Sequence, residues 1–288
     1  MEKYSRKIAD AVEDAWFNYH GSGRIEIPVG VVATLALLNP TKEQQLEAMD
    51  EWGQMTAADF CQVVRHIWAK LWIADPYLSV LARPIWSWAD DGLSASEWSA
   101  ARSVAKAAIS QGLWTITGYT DPALRTEEDV LGVVLSQIRS HGARKGLGEY
   151  HTPPDVTELI SRMLLHDIGP GMDVHEPTTG TGGMWRAMAQ EMRKRGADPA
   201  ERLWAGVELD PIAAACLAVN SILWGLGPNV LIWCGDVLVD GDGVEQAAEQ
   251  RRDIWKHHRN LRRDAEMRAA FIRAQALVAE SQQKSSLS

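Results

Sequence analysis

Apolar residues return every three to four positions through the first half of the chain. Residues 3–19 place Tyr4, Ile8, Val12, Ala15, Trp16 and Tyr19 on one face, the period of an amphipathic helix, and Gly21-Ser22-Gly23 ends it. Pro28 opens the apolar segment VGVVATLALL at a position suited to a first helical turn, and Asn39-Pro40 stops it. Thr41 to Trp52 predicts another helix. Thr56 caps the next, with Asp59 three residues on and a stripe of Phe60, Val63, Val64, Ile67, Trp68 and Leu71. Asp75-Pro76, Arg83-Pro84 and Asp90-Asp91-Gly92 punctuate the stretch after it. Ser94 or Ser96 opens a helix through Ile109, closed by Gly112. Thr126 caps one more, with Asp129 at its third position, Val130, Val134, Leu135 and Ile138 facing inward, and an end at Gly142. Nothing before residue 142 alternates with period two, so residues 1–142 predict an all-helical domain.

The pattern changes after Arg144-Lys145-Gly146. Thr152 suits an N-cap, Pro153 a first helical position and Asp155 a first turn; Val156, Leu159, Ile160 and Met163 form the expected buried face. Gly169-Pro170-Gly171 leads into a strand, Met172 to His175, then a glycine-rich turn, then a helix from Met184 to Arg195. A second strand, Leu203 to Val207, delivers Glu208, and Asp210-Pro211 restarts a helix through Trp224. Asn229 to Cys234 is the third strand and delivers Gly235-Asp236. Helices alternating with short strands predict an α/β domain over residues 148–240, built on a parallel sheet with right-handed crossovers. Residues 241–288 read as a charged helical tail, with the final SQQKSSLS expected to be disordered.

Composition narrows the class. The 288 residues are 46% hydrophobic and 23% charged, an ordinary balance for a soluble globular protein of one or two domains. Cys61, Cys216 and Cys234 are scattered and fit neither a disulfide framework nor a zinc site, which points to the reducing cytoplasm. No apolar run reaches membrane-spanning length, the longest being Val29 to Leu38, and Met1-Glu2-Lys3 opens into a charged helix rather than a signal peptide. A net charge of −9 excludes a chain that grips nucleic acid by bulk positive field, so a DNA contact needs a local patch or a partner. Most of the 13 tryptophans fall at helical spacing with other apolar residues and read as core.

Candidate chemistry gathers at the strand ends. In a parallel sheet, ligands bind beyond the carboxyl ends of the strands, where Glu176, Glu208 and Asp236 all stand. A carboxylate after the second strand can accept hydrogen bonds from ribose hydroxyls, and one after the third from an adenine amino group. Each can also be a solvated loop acid, and the glycine turn can simply close a βα unit. The turn is not G-x-G-x-x-G, because Trp185 stands where the third glycine after Gly180 and Gly182 belongs, and there is no Walker lysine. Both absences disfavour a dinucleotide or ATP. The methyl donor S-adenosylmethionine fits better.

These segments resemble the N-6 adenine-specific DNA methylases, in particular the modification subunits of type I restriction systems. The family's G-Q/E-F/Y-x-T-P segment matches Gly148-Glu149-Tyr150-His151-Thr152-Pro153. Its D-P-x-C-G-T/S-G-G matches Glu176-Pro177-Thr178-Thr179-Gly180-Thr181-Gly182-Gly183. Its G-x-E-x-x-P and N-x-x-x-x-G match Gly206-Val207-Glu208-Leu209-Asp210-Pro211 and Asn220 to Gly225, and its G-D-x-L matches Gly235-Asp236-Val237-Leu238. The resemblance implies a Rossmann-like S-adenosylmethionine-dependent methyltransferase fold, preceded by the helical domain and followed by the tail helix. It implies cofactor-binding positions at Tyr150, Thr152, Glu176, Thr178, Gly180, Gly182, Glu208 and Asp236. Thr152, Glu176, Gly180 and Gly182 would border the methionine moiety, Glu208 the ribose and Asp236 the adenine. Glu176 replaces an aspartate, Thr179 replaces a cysteine, and His151 precedes Thr152-Pro153.

The family's N/D-P-P-Y/F motif, which orients the target amine and stacks on the flipped base, is not found in this sequence. Asp75-Pro76-Tyr77 lacks the second proline and, like Asn39-Pro40, reads as helix punctuation. No catalytic residue is therefore assigned. The family sheet continues on the far side of the first strand, so that strand is expected to present an unpaired edge, and the parallel sheet to be incomplete. The tail helix or a second protein chain can cover it. Arg251, Arg252, Lys256, Arg259, Arg262 and Arg263 on the tail suit a solvated face, a partner-docking helix or a DNA-phosphate patch. Three functions stay open: a DNA adenine-N6 methyltransferase completed by a partner, a degenerate module that binds the methyl donor as a regulatory or assembly subunit, and a cofactor-free relic.

Overall fold

The computed structural model of this chain describes residues 4–19, 23–38, 40, 42–139, 152–165, 173–239 and 241–285. Its helices in the first half are α1 (Tyr4–Tyr19), α2 (Glu26–Ala36), α3 (Lys42–Gln54), α4 (Ala57–Ala74), α5 (Pro76–Leu81), α6 (Trp88–Asp91), α7 (Ala95–Ser110), α8 (Leu113–Thr117), α9 (Pro122–Arg125) and α10 (Val130–Ile138). The second half carries α11 (Pro154–Leu164), β1 (Val174–Glu176), α12 (Gly183–Lys194), β2 (Trp204–Glu208), α13 (Pro211–Leu223), β3 (Val230–Cys234) and α14 (Gly243–Ser285). Residues Met1–Ala247 form one compact unit and Ala248–Ser288 a second.

Local chemistry starts most of these helices where the pattern places them. Thr56 with Asp59 and Ser94 with Glu97 form capping boxes, so the first backbone N–H groups of α4 and α7 are satisfied by side chains. Asp75 caps α5 by accepting from Leu78 N at 3.0 Å, which confirms that Asp75-Pro76 is punctuation. One boundary differs from expectation. Thr126 closes α9, and Asp129 is itself the N-cap of α10, accepting from Gly132 N at 2.9 Å.

The core is built from the tryptophans. Trp16, Trp68, Trp88, Trp185, Trp204 and Trp224 are fully buried, spread over both halves of the chain. Their indole N–H groups partly explain their placement: Trp68 donates to Thr34 Oγ1 and Trp114 to Leu35 O, both at 2.9 Å, tying α4 and α8 to α2.

The three strands pair in the order β1-β2-β3, all parallel, with Glu176 opposite Gly206 and Glu208 opposite Cys234. The central β2 is buried through Val207, as the continuous apolar run of a parallel strand requires. The outer side of β3 is covered by a side chain rather than a strand. The Tyr77 hydroxyl of α5 donates to Ile232 O at 3.0 Å and accepts from Ile232 N at 2.9 Å. One phenol thus satisfies both backbone groups that Ile232 turns away from β2. Among the described residues no strand pairs with the other side of β1.

Helix α11 corrects an expectation. Its buried residues are Thr157 and Ser161, whereas Leu159 is 58% and Met163 69% exposed, with Val156 and Leu164 exposed beside them. The reason lies in its neighbour. α11 packs along α12, and the small side chains of Thr157 and Ser161 allow the close approach. Ser161 Oγ stays satisfied by Thr157 O at 2.7 Å. The apolar stripe is left facing outward.

Helix α14 has 43 residues, and all but its first few belong to the second unit. Lys256, Arg259, Arg262 and Arg263 are exposed on it, interspersed with exposed Leu261, Met267, Phe271 and Ile272. No helix among the described residues is long and apolar enough to cross a membrane.

Two measurements check this packing. Tyr77→Phe leaves the Ile232 N–H and C=O buried without partners and should cost roughly 2–4 kcal/mol of unfolding free energy in urea; a loss under about 0.5 kcal/mol would mean the phenol bridge is not holding β3. The double change Leu159→Ser and Met163→Ser should stay within about 0.5 kcal/mol of the parent, because both side chains already face solvent. A large loss would place the stripe in the core after all.

Candidate functional site

The strand ends converge on one carboxylate. Between β1 and α12 the chain turns through residues 177–182, and the turn is fastened to the end of β2. Thr179 donates twice to Val207 O, from its N–H at 3.0 Å and its hydroxyl at 3.1 Å. Gly180 N then donates to Glu208 Oε2 at 2.7 Å, while Asp210 N donates to Glu208 Oε1 at 2.9 Å. Glu208 therefore clamps the turn after β1 to the turn after β2.

The two glycines of the turn have different tasks. Both take positive φ, 56° at Gly180 and 97° at Gly182. A Cβ on Gly182 would lie 2.6 Å from Leu217 Cδ1 and 2.9 Å from Trp224 Cζ3, so this glycine lets the turn pack on α13. A Cβ on Gly180 would meet nothing within 4 Å, so the backbone there faces open space. Gly180 can admit a ligand, and Gly182 is spent on packing.

Asp129 holds the turn from the helical side. Its Oδ2 accepts from Thr181 Oγ1 at 2.9 Å, and its Oδ1 accepts from Asn220 Nδ2 at 3.0 Å and from Gly132 N. Asn220 also donates to Thr181 O at 2.9 Å. Asp210, which caps α13 through Ala213 N at 2.8 Å, forms an ion pair with the buried Arg139 of the helical half. Arg186 of α12 donates to Thr126 O and Glu127 O at 3.1 and 3.0 Å.

These ties enclose a cavity of about 320 Å³ between the turn and the helical half. Thr152, Glu176, Thr178 and Gly180 line it, and so do Ser5 and Arg6 of α1 and the acidic run Glu127, Glu128 and Asp129. Of the other expected positions, Glu208 stands behind the turn and Gly182 faces α13. Asp236 follows β3, its Oδ1 accepting from Leu238 N at 2.9 Å, next to Gly235, whose N–H meets Glu208 O. Tyr150 lies outside the described residues. Sequence reasoning found Asp129 only as the third residue of a helix capped by Thr126 and did not assign Arg186 or Ser5. A capping signal is local, whereas the bonds from Asp129 to Thr181 and Asn220 cross 52 and 91 residues.

Glu176 is the electrostatic anomaly of the site. Its Oε2 is buried with no hydrogen-bond partner among the described residues. Burial, reinforced by the negative charge of Glu208, pushes its carboxyl up to about 8. An amino-acid or sulfonium cation is the kind of group such an oxygen lacks, and the open space at Gly180 lies on the same cavity wall. The residues present therefore fit a ligand with a cationic end.

The raised value makes a stability prediction. Folded Glu176 holds its proton more tightly than the unfolded chain does, so its contribution is fully present below about pH 4.5 and is lost as pH rises towards about 8. Glu176→Gln, which keeps the neutral shape, should match the parent near pH 4.5. It should exceed the parent by a few kcal/mol, about 2–4, near pH 8.5. Parallel pH-dependence of the two melting curves would contradict a protonated Glu176.

Comparison with known proteins bears on this arrangement. The crystal structure of the type I restriction-modification system methyltransferase subunit from Streptococcus thermophilus is similar with a TM-score of 0.44 at 15% identity, over 82% of this chain and 59% of that one. The chain thus spans about 59% of the length of that subunit. No curated protein matches the chain. Residues 127–250, which run from the acidic segment before α10 into α14, match the family described as N-6 DNA Methylase, the family that the four motifs resemble.

Proposed function

We propose that the cavity and the adjoining strand ends bind S-adenosylmethionine, and that the chain is the donor-binding part of a DNA adenine-N6 methyltransferase of the restriction-modification type. The observation that carries this reading is the Gly180–Glu208 clamp with the unpartnered Glu176 oxygen beside it, inside the segment that matches the N-6 DNA methylases. In this reading Glu176, Thr178, Gly180 and Thr152 border the methionine moiety, Glu208 receives the ribose hydroxyls and Asp236 the adenine amino group. The fold is then the Rossmann-like half of a methyltransferase. The bound cofactor supplies an electrophilic methyl group; the residues named here hold and orient it and keep water from it.

The acceptor side needs more polypeptide. The near match to a catalytic motif, Asp75-Pro76-Tyr77, is committed to capping α5 and to bridging β3. In our reading a second protein chain supplies strands next to β1 and covers the outward stripe of α11, and DNA is held through that chain or through the basic face of α14. The commitment of Tyr77 also favours the second reading, a regulatory or assembly subunit that binds the cofactor without chemistry.

Calorimetric titration with S-adenosylmethionine should show binding, and Glu208→Ala should weaken it at least about tenfold, because the ribose acceptor and the clamp are lost together. No binding at millimolar ligand would remove both readings. Transfer of a labelled methyl group to unmethylated DNA, with or without a partner chain, gives the enzyme; binding without any transfer gives the regulator.

A further inference from the structure

The cavity wall contains several charged groups, and all but one kind are already engaged. Glu128, at the foot of α1, accepts from Ser5 N at 2.6 Å and from Tyr4 N at 3.3 Å. Asp129 is engaged by Gly132, Thr181 and Asn220. Arg186 on α12 is held by the Thr126 and Glu127 carbonyls and by Gln190 Oε1 at 3.2 Å. Arg6 on α1 pairs with Asp10 at 3.2 Å. Behind the wall, Glu208 on β2 receives Gly180 N and Asp210 N. Glu127 is exposed to water. Glu176 is left as the carboxyl of the wall whose buried Oε2 meets no hydrogen-bond partner, and no cation beside it, among the described residues.

We infer that Glu176 couples cofactor binding to proton release: its carboxyl is protonated in the free protein, and it gives that proton to solvent when the ammonium group of the cofactor's amino-acid moiety binds. This rests on the S-adenosylmethionine reading above and adds a regulation of the same site. In the step the carboxyl O–H bond breaks, the proton goes to buffer, and the new carboxylate pairs with the incoming ammonium; no other bond changes. The physical cause is that an ionised Glu176 in the empty cavity has burial and Glu208 against it and nothing for it. The ammonium reverses the balance, because a cation at hydrogen-bond distance favours the charged form. The glutamate at this position, one methylene longer than aspartate, extends the carboxyl farther from β1. Binding then strengthens with pH, about tenfold per unit below the titration of Glu176.

The test is calorimetry on the full chain at pH 6.5, where the ligand ammonium is charged, in a series of buffers of different ionisation enthalpy. S-adenosylmethionine should release about one proton per bound molecule. S-adenosylhomocysteine, which keeps the amino-acid moiety and lacks the sulfonium charge, should release the same. Methylthioadenosine, which lacks that moiety, should bind with no release. Glu176→Gln, checked for an unchanged far-ultraviolet spectrum, should abolish the release and flatten the pH-dependence of affinity. Binding of S-adenosylmethionine by the parent protein without proton release overturns the inference and leaves the cofactor reading intact; the parent titration alone decides this. Release with S-adenosylmethionine and none with S-adenosylhomocysteine overturns the ammonium assignment in favour of the sulfonium. Absence of binding by all three ligands overturns the cofactor reading and this inference together.

Discussion

The carboxylate of Asp129 is the constraint on which the site depends. It collects three donors from three separate segments: the backbone of α10, the hydroxyl of Thr181 in the turn after β1, and the amide of Asn220 in α13. Hydrogen bonds to an ionised group in a half-buried setting are worth more than neutral ones. With Thr181 fixed at one side and Thr179 fixed to Val207 at the other, Gly180 has little choice but to point its N–H at Glu208. The space beside Gly180 is therefore defined by a residue of the helical half, which also supplies Ser5, Arg6, Glu127 and Glu128 to the cavity wall. The helical half contributes to the site directly.

Two glutamates at neighbouring strand ends live in different environments. Glu208 is surrounded by backbone donors and serves as the joint between two turns. Glu176 is opposed by burial and by the charge of Glu208. Desolvation and like charge both act against its ionised form, and among the described residues no donor meets its buried oxygen. Carboxyls that are chemically identical are thus pushed into different tasks by what surrounds them, one structural and one available to a ligand.

The same division appears at the edges of the sheet. On β3, Tyr77 closes the outer side by pairing with Ile232 in both directions, a role that a tyrosine can fill because its hydroxyl is donor and acceptor at once. On β1, no strand among the described residues pairs with the side away from β2, and α11 turns Leu159 and Met163 outward nearby in sequence. Unpaired strand edges and contiguous apolar stripes are the two surfaces that polypeptides most readily cover.

The elements were legible in the sequence wherever the signal was local. The helix openings at Thr56 and at Ser94 or Ser96, the Asp-Pro break at Asp75, the Asp-Pro helix start at Asp210, and the strands leading to Glu208 and through Cys234 follow from residues a few positions apart. The glycine turn and its acidic neighbours were legible for the same reason, as a run of residues whose backbone needs are written beside them. Periodicity identified α11 as amphipathic, but it assigned the apolar stripe of Val156, Leu159 and Met163 to the buried face, and the structure buries the other. That was decided by Thr157 and Ser161, which let α12 come close where larger side chains would hold it off. Likewise the sequence marked Asp129 and Tyr77 as a first-turn helix residue and a punctuation residue, and only the tertiary structure made one the brace of the turn and the other the cover of β3. Local propensity acts within a few residues, whereas bonds such as Tyr77 to Ile232, 155 residues apart, exist only once the chain has brought the two together.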